Sequence, residues 1–165
     1  MKLAKGLGEF FGLDIDTNAV RVVQLSRTGA GWSLSHYGYT PVDSKITSGD
    51  SPESKRRLGE AIMTAVGQAG IKTSNVAVGL PSNKTFSTII DVPKVPEQEL
   101  KAMMKYQIDQ YIPMSLDEAE VDWVLLGESL HAQNQYEILL TSTAKSYAEE
   151  RLELVENLGF NVIAE

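Results

Sequence analysis

Cysteine is absent from the 165-residue chain, which removes both a disulfide framework and any thiolate metal site. Histidine is nearly absent: His36 and His131 are the two present, too few for a histidine-rich metal centre. A serine-histidine-acid triad would have to use one of them, yet His36 falls in a predicted strand, His131 in a polar turn, and no Gly-x-Ser-x-Gly elbow accompanies either. A Gly-x-x-x-x-Gly-Lys-Ser/Thr phosphate loop is missing too. No apolar run reaches the roughly 18 residues of a membrane-spanning helix. Gly6, Gly8 and Glu9 break the stretch from Lys2 to Phe11 too often for a signal peptide, so the cytoplasm is the default compartment. A concentrated basic face is lacking as well. With a net charge of −7 and Lys55-Arg56-Arg57 as the single basic cluster, a nucleic-acid surface is excluded.

What is present is a chain with 42% hydrophobic and 22% charged residues, the composition of one ordinary globular domain or two small ones. Leu3, Leu7, Phe10 and Phe11 share one helical face, which fits either a short membrane-surface helix or a leader packed on the domain. From Phe11 to Asp16 the pattern alternates instead, with Phe11, Leu13 and Ile15 on one face and Asp14 and Asp16 on the other. Asp16-Thr17-Asn18 supplies turn chemistry, and Val20 to Leu25 is the return strand. A third strand from Trp32 to Tyr39 follows Gly29-Ala30-Gly31 and completes a meander. Pro41 to Asp50 is a polar connection. Ser51 then caps a helix with Pro52 at its first position, Glu53 at its positive end, Leu58, Ile62, Ala65, Val66 and Ala69 inward, and Gly70 at its left-handed stop. Val76 to Gly79 is a short buried strand.

The second half has its own rhythm. Strands are expected over Thr85 to Val92, Val121 to Leu126 and Glu137 to Thr141, with a helix from Glu97 to Tyr111 whose Leu100, Met103, Met104, Ile108 and Tyr111 face inward. Pro113 stops that helix, because proline lacks an amide hydrogen and drives the preceding residue away from helical geometry. Ser146 and Glu149 fit a capping box for a helix running to Leu158, and Asn161 to Ala164 starts a last strand. The order is strand, helix, strand, strand, helix, strand, a split βαβ unit.

Two places invite chemistry. Asp14 and Asp16 lie beside a tight turn, where they fit either a magnesium-bound nucleotide phosphate or a hairpin whose turn favours Asp, Thr and Asn. The helix end at Tyr111-Ile112-Pro113 fits a docking edge or a core corner. Asp117, Glu118 and Glu120, three acids on a surface connection, are read as solvated.

The run Leu13-Asp14-Ile15-Asp16-Thr17-Asn18-Ala19-Val20 resembles the first phosphate loop of the actin-like ATPase superfamily. Glu99-Leu100, Tyr106, Gln110-Tyr111-Ile112-Pro113-Met114, Leu116-Asp117-Glu118, Asp122 and Leu126 resemble the signature of the PilM family of type IV pilus assembly proteins, and the resemblance covers nearly the whole chain. The division protein FtsA and the secretion protein GspL are similar in architecture. The resemblance implies an α+β fold: an actin-like (ribonuclease H-like) subdomain 1A over residues 1–79, and a βαββαβ subdomain 1C over residues 80–165, with the second lobe of the family absent. It implies a non-enzymatic adaptor that holds the cytoplasmic N-terminal tail of PilN, an Asn-Leu-Leu-Pro-type segment, in a groove between 1A and 1C at the inner face of the inner membrane. Other pilus assembly proteins and self-association complete the implied contacts.

By the same resemblance Tyr106, Gln107, Tyr111, Ile112 and Pro113 are partner-binding, and Asp14, Asp16, Thr17 and Asn18 are half of a nucleotide phosphate site. No cofactor is expected for one lobe, and ATP with magnesium belongs to the full-length family. Asp16 departs from the family's loop glycine, putting a carboxylate where a phosphate would approach. The alternative reading is an actin-like ATPase, or a polymerising or secretion scaffold, of which this is one lobe.

Overall fold

A computed structural model of the protein describes residues 8–29 and 31–164. Leu3, Leu7 and Ala30 lie outside those residues, and Phe11 begins a strand rather than continuing a helix. The described residues divide into two units: 8–81 together with 149–164, and Ser82–Ala148.

The first unit is a five-stranded sheet in the order β3-β2-β1-β4-β8. The strands are β1 (Phe11–Ile15), β2 (Ala19–Thr28), β3 (Gly31–Pro41), β4 (Asn75–Gly79) and β8 (Asn161–Ala164). β1 pairs antiparallel with β2 and parallel with β4, and β4 pairs parallel with β8. The connection after β3 contains a short helix, α1 (Ser44–Thr47), capped by the Asp43 carboxylate on the Lys45 amide. The long helix α2 (Pro52–Ala69) starts where the sequence predicts: the Ser51 hydroxyl accepts from the Ser54 amide, and Gly70 closes it at φ 72°.

The inward stripe of α2 meets the alternating face of the sheet. Leu58, Ile62, Ala65 and Val66 pack with Phe11, Leu13, Ile15, Val20, Val22, Val76 and Val78 into one buried cluster. β3 comes close to α2 at Gly38, where an added Cβ would sit 2.5 Å from the Ala65 carbonyl oxygen, so only glycine fits. Lys55-Arg56-Arg57 is an ion-paired helix face: Arg56 pairs with Glu53 and Glu60, Arg57 with Glu53, and Lys55 with Glu150 at 2.9 Å.

The second unit is a three-stranded antiparallel sheet in the order β5-β7-β6, formed by β5 (Thr85–Pro93), β6 (Ala119–Glu128) and β7 (Gln135–Ala144). The helix α3 (Glu97–Gln107) buries Leu100 and Met104 in a cluster with Ile90, Val92, Ile108, Ile112, Ala119, Ile138 and Leu140. α3 is shorter than the predicted helix. It gives way to a 3-10 turn over Ile108–Gln110, with the Tyr111 amide donating to the Ile108 carbonyl at 3.0 Å. The tightening follows from Pro113, which supplies no amide to continue the ladder and restricts Ile112 before it.

The last two elements depart from the sequence-based assignment. α4 (Lys145–Asn157) begins before Ser146, which therefore sits in the first turn instead of capping it. Leu154, Val155 and Leu158 pack on the core of the first unit, and β8 joins the first sheet through Asn75↔Asn161 and Val76↔Val162. Residues from Glu149 onward thus belong with the first unit, not with an 80–165 subdomain, and the second unit holds three strands. The physical reason is pairing: β8 is a short parallel strand that finds its hydrogen-bond partner in β4, about 86 residues earlier in the chain, and parallel pairing of this kind has no local sequence signal.

Candidate functional site

The turn after β1 places the first candidate group. The hairpin register sets Asp14 directly opposite Arg21 and Ile15 opposite Val20. Arg21 Nη1 reaches Asp14 Oδ2 at 2.9 Å and Asp16 Oδ2 at 3.2 Å, and its guanidinium also lies 5.8 Å from the Tyr39 ring centroid. Sequence reasoning named the two aspartates and missed the arginine, although counting back from the Asp16-Thr17-Asn18 turn puts Arg21 across from Asp14. Two loop amides are spent internally: Thr17 N donates to Asp16 Oδ1 at 2.7 Å and Asp16 N to the Ala19 carbonyl at 2.9 Å. The Thr17 carbonyl accepts from Thr47 Oγ1 at 2.7 Å, and the Asn18 carbonyl accepts from the Val42 amide, which ties the turn to α1 and the end of β3.

This arrangement does not fit a phosphate. Two carboxylates face the approach, the cation beside them is already engaged, and the Thr17 amide that could have met a phosphate oxygen is turned onto the Asp16 side chain. A magnesium ion would have to displace the guanidinium. Among the described residues no cluster of three metal-ligating side chains occurs.

Electrostatically the loop is an exposed ion-pair network. The Thr17 amide first, and Arg21 second, hold the Asp16 carboxyl below its usual range. At the start of α2, Arg56 and Arg57 hold Glu53 down to about 2. For both groups the folded value is lower than the unfolded one, so their stabilisation is present above the ordinary carboxylate range and is lost as pH falls through the folded value. Glu53→Gln should therefore melt below the wild-type protein at pH 6, with the two melting temperatures converging as pH approaches about 2. A constant gap across that range, followed by circular dichroism, would show that Glu53 contributes nothing through its charge.

The second candidate group lies at the end of α3. Tyr106 is on the helix face opposite Leu100, Met104 and Ile108, and it is 79% exposed. Gln107 is the last residue of α3 and half-buried. Tyr111 is half-buried against the core of the second unit, Ile112 is 8% exposed within that core, and Pro113 is exposed. The five residues are close along the chain but do different things. Tyr106 and Pro113 offer free surface, Tyr111 offers part of its ring, and the Ile112 side chain is consumed by packing.

The family described as "Type IV pilus assembly protein PilM" matches residues 12–164. The chain belongs to the PilM family. Among solved structures it is similar to a PilM-PilN type IV pilus biogenesis complex, at TM-score 0.78 and 19% identity over 95% of this chain and 46% of that one. It is also similar to the cytoplasmic domain of EpsL, an inner-membrane component of the type II secretion system of Vibrio cholerae, at TM-score 0.53 and 13% identity over 94% of this chain and 55% of that one. The fold described above is thus the actin-like PilM fold, and the chain spans about half the length of these structures. Within PilM terms, Asp14 to Asn18 sit in the first loop of the actin-like sheet, and Tyr106 to Pro113 in the helix end of the second unit.

Proposed function

We propose that this chain is an adaptor of type IV pilus assembly whose first and second units correspond to subdomains 1A and 1C, and that it binds the cytoplasmic N-terminal tail of PilN. The observation that carries the reading is the PilM family match over residues 12–164. The similar solved structure, a PilM-PilN complex, supports PilN as the partner. Through that partner the chain works at the inner face of the inner membrane, and among the described residues no helix is long and apolar enough to cross it. Recognition of a short extended tail needs apolar side-chain pockets for affinity and backbone hydrogen bonds for register. Tyr106 and the exposed part of Tyr111 are the aromatic anchors we assign to it.

Calorimetry with a peptide of the PilN tail tests the proposal. Tyr106→Ala and Tyr111→Ala should each weaken binding about tenfold, equivalent to about 1.4 kcal/mol, and Tyr106→Ala should leave the melt unchanged. Absence of binding to the wild-type chain would sink the reading. The nucleotide alternative is disfavoured by the Arg21 clamp on Asp14 and Asp16. It makes the opposite forecast: equilibrium dialysis would find magnesium-ATP retained, and Asp14→Ala would abolish retention.

A further inference from the structure

Among the described residues the two sheets leave four edge strands, and two of them, β5 and β6, carry charges that guard against pairing with another chain. β5 carries Asp91. β6 carries Glu120, Asp122 and Glu128. These are the usual devices by which proteins keep exposed edges from recruiting strands. β3 is different. It runs for 11 residues, Gly31–Pro41, without a single Asp, Glu, Lys or Arg, in a chain whose net charge is −7. Its one irregularity is a bulge: Gln24 pairs with His36 and Leu25 with Leu34, so Ser35 is the extra residue.

The bulge changes which side chains share a face. Trp32, Leu34, Tyr37 and Tyr39 are 64%, 57%, 73% and 56% exposed, all on the solvent side of the sheet, while Gly38 faces α2. The spacing of those four makes the strand self-matching. About a two-fold axis between Ser35 and His36, an antiparallel copy of β3 sets Trp32 opposite Tyr39 and Leu34 opposite Tyr37, each pair met twice. Aromatic-aromatic and aromatic-aliphatic pairs are the favourable cross-strand combinations. A symmetric pair also places each residue against its own strand, which a charged strand would not tolerate and this one does.

We infer that β3 is a homotypic interface: a second copy of this chain pairs with it edge to edge in this register, joining the two five-stranded sheets. The occupant is a second copy because the strand has no charge to complement in a different partner, and because the odd spacing created by the bulge matches itself. The rest of the acidic chain opposes the association, so the pair should tighten with salt as the repulsion is screened, the Debye length shrinking from about 10 Å at 0.1 M to about 3 Å at 1 M.

Analytical ultracentrifugation of the whole chain over a concentration series decides it. The wild-type protein should show a monomer-dimer equilibrium that tightens on going from low to high salt. Leu34→Lys with Tyr37→Lys sets like charges against each other twice and should weaken the dimer by about tenfold or more. Leu34→Lys with Tyr37→Glu sets opposite charges against each other in this register and should restore it. Both replaced side chains are exposed, so the melts of both double variants should stay near that of the wild type, and the charge-swap variant reports on the register even if the first fails to fold. A protein that is monomeric throughout, a dimer indifferent to the paired lysines, or one not restored by the swap would each overturn the assignment.

Discussion

Phe11→Ala should lower the stability of the first unit by about 3–5 kcal/mol. Phe11 has no exposed surface, opens the strand that lies between β2 and β4, and meets the Phe160 ring edge-on with centroids 5.4 Å apart. Its ring therefore joins the start of the chain to the segment before β8. Removing it takes away the transfer energy of a full aromatic side chain and leaves a cavity in the buried cluster of the first unit. The two tryptophans make the measurement local: Trp32 lies in the first unit and Trp123 in the second. Urea unfolding in a Trp123→Phe background would report the first unit by fluorescence. A loss under about 1 kcal/mol would show that Phe11 is not the keystone its burial indicates.

Ile112→Ala should destabilise the second unit by about 2–4 kcal/mol, near the lower part of the range for burying such a side chain because a small fraction stays exposed. Ile112 belongs to the buried cluster that includes Leu100, Met104, Ile108 and Ile138, just after the 3-10 turn, at the point where Pro113 fixes the exit of the chain. Tyr106→Ala, six residues earlier and facing solvent, should change the melt by no more than about 0.5 kcal/mol. The contrast separates the two readings of the helix end residue by residue. If Ile112→Ala melts normally and instead abolishes binding of the PilN tail peptide, its side chain is a contact and not core.

Much of this was legible because the causes are local. Alternation at Phe11, Leu13 and Ile15 marks β1, and Ser51, Pro52 and Gly70 mark both ends of α2 through caps that act within four residues. The resemblance at Tyr106 to Met114 located the PilM helix end. Other features were legible only in part. Arg21 is legible only by counting across the hairpin from the Asp16-Thr17-Asn18 turn, since nothing adjacent in sequence ties it to Asp14. The helical pattern runs to Tyr111, but the α-helix ends four residues earlier, at Gln107, because Pro113 tightens the turn before it into a 3-10 turn.

By itself the sequence determined most of the strands and helices, the apolar faces that build the two cores, the family and the absence of thiol chemistry, since each rests on side-chain identity and short-range spacing. Tertiary structure alone decided that α4 and β8 return to the first unit, that Arg21 closes over Asp14 and Asp16, and that Ile112 is core while Tyr106 is surface. Those outcomes depend on which distant backbone groups satisfy one another and on which side of a packed helix a residue falls, quantities that exist only once the chain has folded.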